Sequence, residues 1–389
     1  KNYLHFSFKH DTVNPRKCHS TVSAWIFFYY SIFSNTTICS FSICRYLQII
    51  DHCPDHRDTG IHIQSDNCSQ FPCVSNNHPC RLFLWRYFMN YEQFKSAVIT
   101  RIEQLLGPEI SVQLHTIHKN NGIKLDGLVI TDKASNLSPT IFLDYYYEKQ
   151  AVSFDIEAIC RDILLTYEKK RAKEPVNIDF FTDYTILRSH ICYRVINYEK
   201  NKELLETVPY VRYLDLAIVF YCLLNISETG SATILIHTNH LKLWNITVEQ
   251  LYEQACRTTP NLLPYDFRNM TSVLAELLPS MIPADSGTHK VSTFCPMYVL
   301  TNASKIYGAC CMLYPGLLES ISEKLNYDLL ILPVSIHEII LLPAVTRGYY
   351  KELAPLVSEI NQTELAADEV LSNHVYYYSR ASQSLSICE

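Results

Sequence analysis

Leu214-Asp215-Leu216-Ala217-Ile218-Val219-Phe220-Tyr221-Cys222-Leu223-Leu224 is apolar except for Asp215 near its start, and it is rich in aromatic and β-branched residues. Such a run reads as a buried strand. Glu228-Thr229-Gly230 supplies a turn, and the chain returns as Ala232-Thr233-Ile234-Leu235-Ile236, which predicts an antiparallel pair. A second pair lies upstream. Ile110, Val112 and Leu114 alternate with polar residues, Asn121-Gly122 is a hairpin turn signal, and Ile123, Leu125 and Val129 alternate on the return.

Helix grammar surrounds these pairs. Asn90 can cap a helix with Gln93 at the capping-box position, Phe94, Val98, Ile102 and Leu105 form its apolar stripe, and Gly107-Pro108 stops it. Ser138-Pro139 predicts a short helix through Tyr145–Tyr147. Ser153 predicts a longer one with the stripe Ile156, Ile159, Cys160, Ile163 and Tyr167, its last turn basic at Lys169-Lys170-Arg171 and its end at Pro175. A third helical segment is expected over roughly 181–196, and Thr247 with Gln250 predicts a helix ending before Pro260. Pro279, Pro283, Gly287 and Pro296 mark 279–296 as a loop or hinge. Beyond it the pattern predicts strands at 297–300, 309–313, 328–332 and 336–342, and helices at 317–325 and about 350–363. Strands that meet as neighbours, with helices between the pairs, describe an α+β protein with mainly antiparallel sheets, not a doubly wound parallel one.

The 389 residues carry 33 Lys+Arg, 39 Asp+Glu, 48% hydrophobic residues and 9 Gly. A net charge of -6 argues against a basic nucleic-acid or membrane surface, so neither nucleic acid nor membrane is an expected partner. Residues 1–88 differ in composition from the rest. They contain no Glu and no Met, one Gly and one Ala, yet 7 of the 15 Cys and 7 of the 15 His. Trp85 is encoded TGG, and an AGG codon at Arg86 gives TGGAGG shortly before Met89, a ribosome-binding sequence. The expectation is that 1–88 is non-native upstream translation or a disordered leader. Two α+β subdomains follow, 89–200 and 201–389, and together they are mildly acidic. Trp25–Phe33 is too short to span a bilayer, and Cys53, His56, Cys68, Cys73 and Cys80 lack paired C-x₂-C half-sites. The eight Cys after Met89 lie mostly in apolar contexts and read as free thiols in a reducing cytoplasm.

Four stretches carry a resemblance: Asn120-Asn121-Gly122-Ile123-Lys124-Leu125-Asp126-Gly127, Tyr213-Leu214-Asp215-Leu216-Ala217-Ile218-Val219-Phe220, Met312-Leu313-Tyr314-Pro315-Gly316 and Leu332-Pro333-Val334-Ser335-Ile336-His337-Glu338. Together they resemble an uncharacterised bacterial domain-of-unknown-function family, the 5688 family, over nearly all of Met89–Arg380. The resemblance implies no activity, cofactor, partner or catalytic residue.

Ser335, His337 and Glu338 combine a hydroxyl, an imidazole and a carboxylate in the bend between two apolar strands, the ingredients of nucleophilic chemistry. The G-x-S-x-G elbow and the second His of a zinc-protease helix are missing, and turn bonding explains the same residues. Asp126 interrupts a return strand beside Gly127, and Asp215 interrupts the later one; strand-borne carboxylates of this kind can hold Mg²⁺ in a nuclease. His237 with His240, and His115 with His118, have metal-ligand spacing only if the backbone turns, and Cys310-Cys311 lacks a locatable base. No Gly-rich phosphate loop occurs. The 22 Tyr after Met89 can form a recognition surface or cover the rims of a sheet. The sequence therefore favours a non-catalytic cytoplasmic protein that binds another protein or a small-molecule ligand, with no cofactor and no metal. The alternative is a hydrolase or metal-dependent nuclease with its site near Ser335, His337 and Glu338 or at Asp126.

Overall fold

The computed structural model describes residues 7–8, 89–131, 138–148, 155–171, 181, 183–227, 230–277, 296–345 and 350–388. The leader at 1–88 apart from Ser7–Phe8 (β1), the helix start at Ser153, the stop at Pro175 and nearly all of the 279–296 loop lie outside these residues.

From Met89 onward the chain first builds a small layered unit. Tyr91–Leu106 (α1) starts where Asn90 Oδ1 accepts the Gln93 N–H at 2.9 Å and Gln93 Oε1 accepts the Asn90 N–H at 3.1 Å, the reciprocal cap its sequence announces. Ser111–His118 (β2), Lys124–Thr131 (β3) and Thr140–Phe142 (β4) form an antiparallel sheet in that order. The β2–β3 turn holds Asn121 at φ 60°, a left-handed conformation that Asn tolerates. Leu143–Glu148 (α2) and Ile156–Lys170 (α3) follow, the latter capped by Asp155. Phe94, Val98 and Ile102 of α1 meet Leu128, Ile130, Cys160 and Ile163 in one core. The helix expected from Ser138 begins only at Leu143, because Thr140–Phe142 pairs with Gly127–Val129 and buries Ile141.

Tyr184–Leu187 (α4) leads into Ile191–Asn197 (β5), then Lys202–Leu205 (α5), Tyr210–Tyr213 (β6), Leu216–Ser227 (β7) and Gly230–Leu235 (β8). The helix expected over 181–196 is therefore mostly a strand. Ile191-Cys192-Tyr193 and Val195-Ile196 are buried on both faces and pair residue for residue with Leu216–Cys222, so sheet pairing overrides the helical reading. β7 is the antiparallel partner of β5, β6 and β8, and β1 extends the sheet through Ser7 opposite Thr233.

Thr238–Trp244 (α6) and Val248–Leu262 (α7) follow. α7 runs two residues past Pro260, against the expected stop, with Leu263 N–H still bonded to Thr259 O at 2.9 Å; a proline this near a helix end removes little. Tyr265–Asn269 (β9), Met270–Leu277 (α8), Tyr298–Asn302 (β10), Leu317–Leu325 (α9), Leu329–Leu332 (β11), Ile339–Pro343 (β12), Tyr350–Thr363 (α10), Tyr376–Ser379 (β13) and Ser384–Ile387 (β14) complete the described chain. The second large sheet has the order β14-β13-β11-β12-β10-β9, all neighbours antiparallel. The architecture is α+β. Residues 309–313 are not a strand: Gly308–Leu313 is a 3₁₀ turn with Ala309, Cys310, Cys311 and Met312 all buried in the same core as β5, β7 and β11. Burial without alternation fits a coil wedged between two sheets better than a strand in either. A separate core lies on the other side of the six-stranded sheet under α8 and α10.

Candidate functional site

Ser335, His337 and Glu338 lie in the connection between β11 and β12, at the border of the two large sheets. Ser335 is fully buried and Glu338 is 4% exposed. The Ser335 hydroxyl accepts the backbone N–H of His337 at 3.0 Å, and Ser335 N–H donates to Glu338 O at 3.2 Å, a serine-stabilised turn. His337 Nδ1 accepts the backbone N–H of Tyr307 at 3.2 Å. An amide can only donate, so Nδ1 carries no proton and the ring proton sits on Nε2. That nitrogen is 4.0 Å from Glu369 Oε1 on the loop after α10. The three residues are thus adjacent in the chain, while the imidazole turns toward Glu369 and the serine hydroxyl toward the backbone.

Tyr307 joins this corner to the five-stranded sheet. Its ring stacks on His337 with centroids 5.6 Å apart and planes within 12°, the Arg194 Cζ of β5 lies 4.5 Å from its centroid, and Tyr221 of β7 meets it edge-on at 5.4 Å. Lys305 and Tyr307 both have φ 52°, and the buried Asn302 side chain holds the loop by donating to Ile306 O at 2.7 Å and accepting Ile306 N–H at 3.2 Å. Arg194, Tyr307 and Glu369 escaped the sequence reading. An arginine among the buried residues of β5 is a signal in retrospect; Glu369 offered none.

Asp126 is 17% exposed on β3, where its Oδ2 pairs with Lys95 Nζ at 2.7 Å and its Oδ1 accepts from Thr116 Oγ1 at 3.3 Å. Asp144 accepts the Asp126 N–H at 2.8 Å. Burial and these two carboxylates push the Tyr91 phenol up. Asp126 belongs to the small layered unit, whereas His337 lies in the β11–β12 connection. Asp215 occupies the tight β6–β7 turn next to Leu214 at φ 53°, and it accepts from Ser372 Oγ at 2.6 Å and Tyr376 Oη at 2.8 Å, with His374 Nδ1 at 3.1 Å. A carboxylate with three partners of this kind ties the C-terminal loop to the sheet. The backbone does turn at His237 and His240, at the start of α6, but His240 Nδ1 accepts the His237 N–H at 3.0 Å and that lone pair is used.

The thiols are set in apolar surroundings. Burial pushes Cys160 up to about 11 and Cys192 up to about 12, and it raises Cys310 as well, which disfavours the thiolate that nucleophilic chemistry uses. The tyrosines divide: Tyr193, Tyr221 and Tyr376 are fully buried, Tyr265 and Tyr327 are exposed, and many of the others, Tyr307 among them, are half-buried. Among the described residues no helix is long and apolar enough to cross a membrane.

A family model described as a family of unknown function (DUF5688) matches residues 91–380. Neither the curated proteins nor the solved structures contain a match to the chain.

Proposed function

The chain belongs to this family of unknown function, whose model covers residues 91–380, and from that premise we propose a non-catalytic cytoplasmic binding protein. Its ligand is met at the corner where His337, Tyr307 and Arg194 come together. One observation carries the reading: Ser335 Oγ and His337 Nδ1 each accept a backbone N–H, and the other ring nitrogen of His337 faces Glu369. A serine whose hydroxyl is committed to a turn, and whose neighbouring imidazole is turned away, has no base to activate it. Asp126 is likewise held by Lys95 and Thr116, which supports a structural part for it.

The test uses the full chain. It is incubated with a fluorophosphonate serine probe and, separately, with Mg²⁺ and single- or double-stranded DNA and RNA. The expected outcome is no labelling of Ser335 and no cleavage above that of the Asp126→Asn variant. Labelling that disappears in Ser335→Ala, or cleavage that disappears in Asp126→Asn, would replace the binding reading by an enzymatic one.

A further inference from the structure

Arg194 shares one face of β5 with Cys192 and Ile196, which belong to two separate apolar patches on either side of it. Arg101, Arg171, Arg257 and Arg268 all pair with Glu or Asp, on the surface where such pairs stabilise little. Arg194 is half-buried, where a partner matters most. Among the described residues no carboxylate forms an ion pair with it, and its Nε is closed off from solvent with no acceptor. Stacking on Tyr307 attracts the guanidinium but satisfies none of its N–H donors. A charge drawn partly out of water without a counter-ion is costly, and an anion from outside would offset that cost at the guanidinium's accessible N–H groups.

The platform beneath it is built with strain. Lys305 and Tyr307 hold positive φ without being glycine, Asn302 bonds the loop from within, and Tyr307 N–H is anchored on His337. Left-handed conformations that the surroundings over-determine occur where a side chain is being presented. The His337 side chain is 27% exposed, so solvent reaches this end of the stack.

We propose that Arg194, on the Tyr307 platform, binds the oxyanion of a small-molecule ligand, a carboxylate or a phosphate. The planar fork of a guanidinium matches either group through two parallel N–H bonds. The inference rests on the binding reading above and names the chemistry of what is bound.

The experiment titrates the full chain with sodium phosphate and, in a second arm, sodium acetate, each against sodium chloride at equal ionic strength and pH. Melting temperature and calorimetric heat are recorded for the parent, Arg194→Gln and Arg194→Lys. One arm should give a saturable response in the parent, and which arm it is distinguishes phosphate from carboxylate. Half-saturation should move at least tenfold higher in Arg194→Gln and partway in Arg194→Lys, which keeps the charge without the fork. General salt stabilisation raises all three proteins alike. Equal responses of parent and Arg194→Gln overturn the proposal; if that variant does not fold, an unchanged half-saturation in Arg194→Lys does so. Failure here leaves the serine-probe result standing, whereas labelling of Ser335 removes the binding reading without touching the titration.

Discussion

Gly308 is the residue that lets the Tyr307 loop and the β11–β12 turn touch. Its φ is ordinary, so the requirement is space. A Cβ there meets Thr301 Oγ1, the His337 carbonyl oxygen at 2.5 Å and Asn302 N at 2.8 Å, and the first two are bonded to each other. Two of the three obstacles are backbone, which cannot swing aside as a flexible side-chain tip would. Gly308→Ala should therefore cost about 2 kcal/mol or more, at the upper end of overpacking substitutions. Urea denaturation checks this, and a parent-like midpoint would mean the loop relaxes without resistance. The same substitution should displace Tyr307, so the oxyanion response falls with it.

At the scale of elements, legibility followed locality. The caps of α1 and α7 could be read because Asn90 with Gln93, and Thr247 with Gln250, lie within one turn of each other and bond as their spacing implies. β7 with β8, and β2 with β3, could be read because each pair is joined by a short turn. β5 could not, since its partner residues begin at Leu216, beyond two intervening elements, and Ile191–Asn197 gives no alternation when both faces are covered. The 3₁₀ turn at Gly308–Leu313 failed for the same reason: its burial is imposed by two sheets that meet there from distant parts of the sequence. The Arg194, Tyr307 and His337 corner draws on three such segments, which is why only His337 stood out. α6 carries a prediction of its own. Burial lowers both His237 and His240, and Phe181 and Trp244 pack around the second ring. A histidine held neutral in the fold takes up protons more readily when unfolded, so its stabilisation is complete above about pH 6.5 and is lost as pH falls through the lowered folded value. Protonation of His240 also removes the acceptor for the His237 N–H. His240→Asn keeps an acceptor near that position without the titration, and its melting temperature should drop less than the parent's between pH 7.5 and pH 5.5. Parallel curves for the two proteins would remove α6 as a source of acid sensitivity.

For the whole molecule the decisive question is how the small layered unit is joined to the two large sheets. Its apolar core, from Phe94 to Tyr167, is separate from the cores under the other sheets. The described connection is polar and is concentrated in the β2–β3 turn. Asn121 N–H donates to Asn201 Oδ1 at 2.8 Å, Asn201 Nδ2 donates back to Asn121 Oδ1 at 3.0 Å, and Asn121 Nδ2 donates to the carbonyls of Ala367 and Val370 at 2.8 and 2.7 Å. Asn120 Nδ2 adds a bond to Asp368 O at 2.9 Å, and Asn197 Nδ2 ties the same loop through Leu371 O at 3.0 Å. One turn thereby holds the five-stranded sheet and the loop that carries Glu369. Each bond contributes roughly 1 kcal/mol, and a non-glycine residue other than Asn loses about 1 kcal/mol more at a left-handed position. Asn121→Ala should therefore cost about 2–4 kcal/mol at the junction itself while leaving the three apolar cores intact. A loss placed there weakens coupling more than it weakens either part. Scanning calorimetry should give one transition for the parent and two for the variant, the small unit melting first, and amide exchange should rise first in α1, β2 and β3. A single transition in the variant, shifted but not split, would mean that the two parts are held together by something other than this turn.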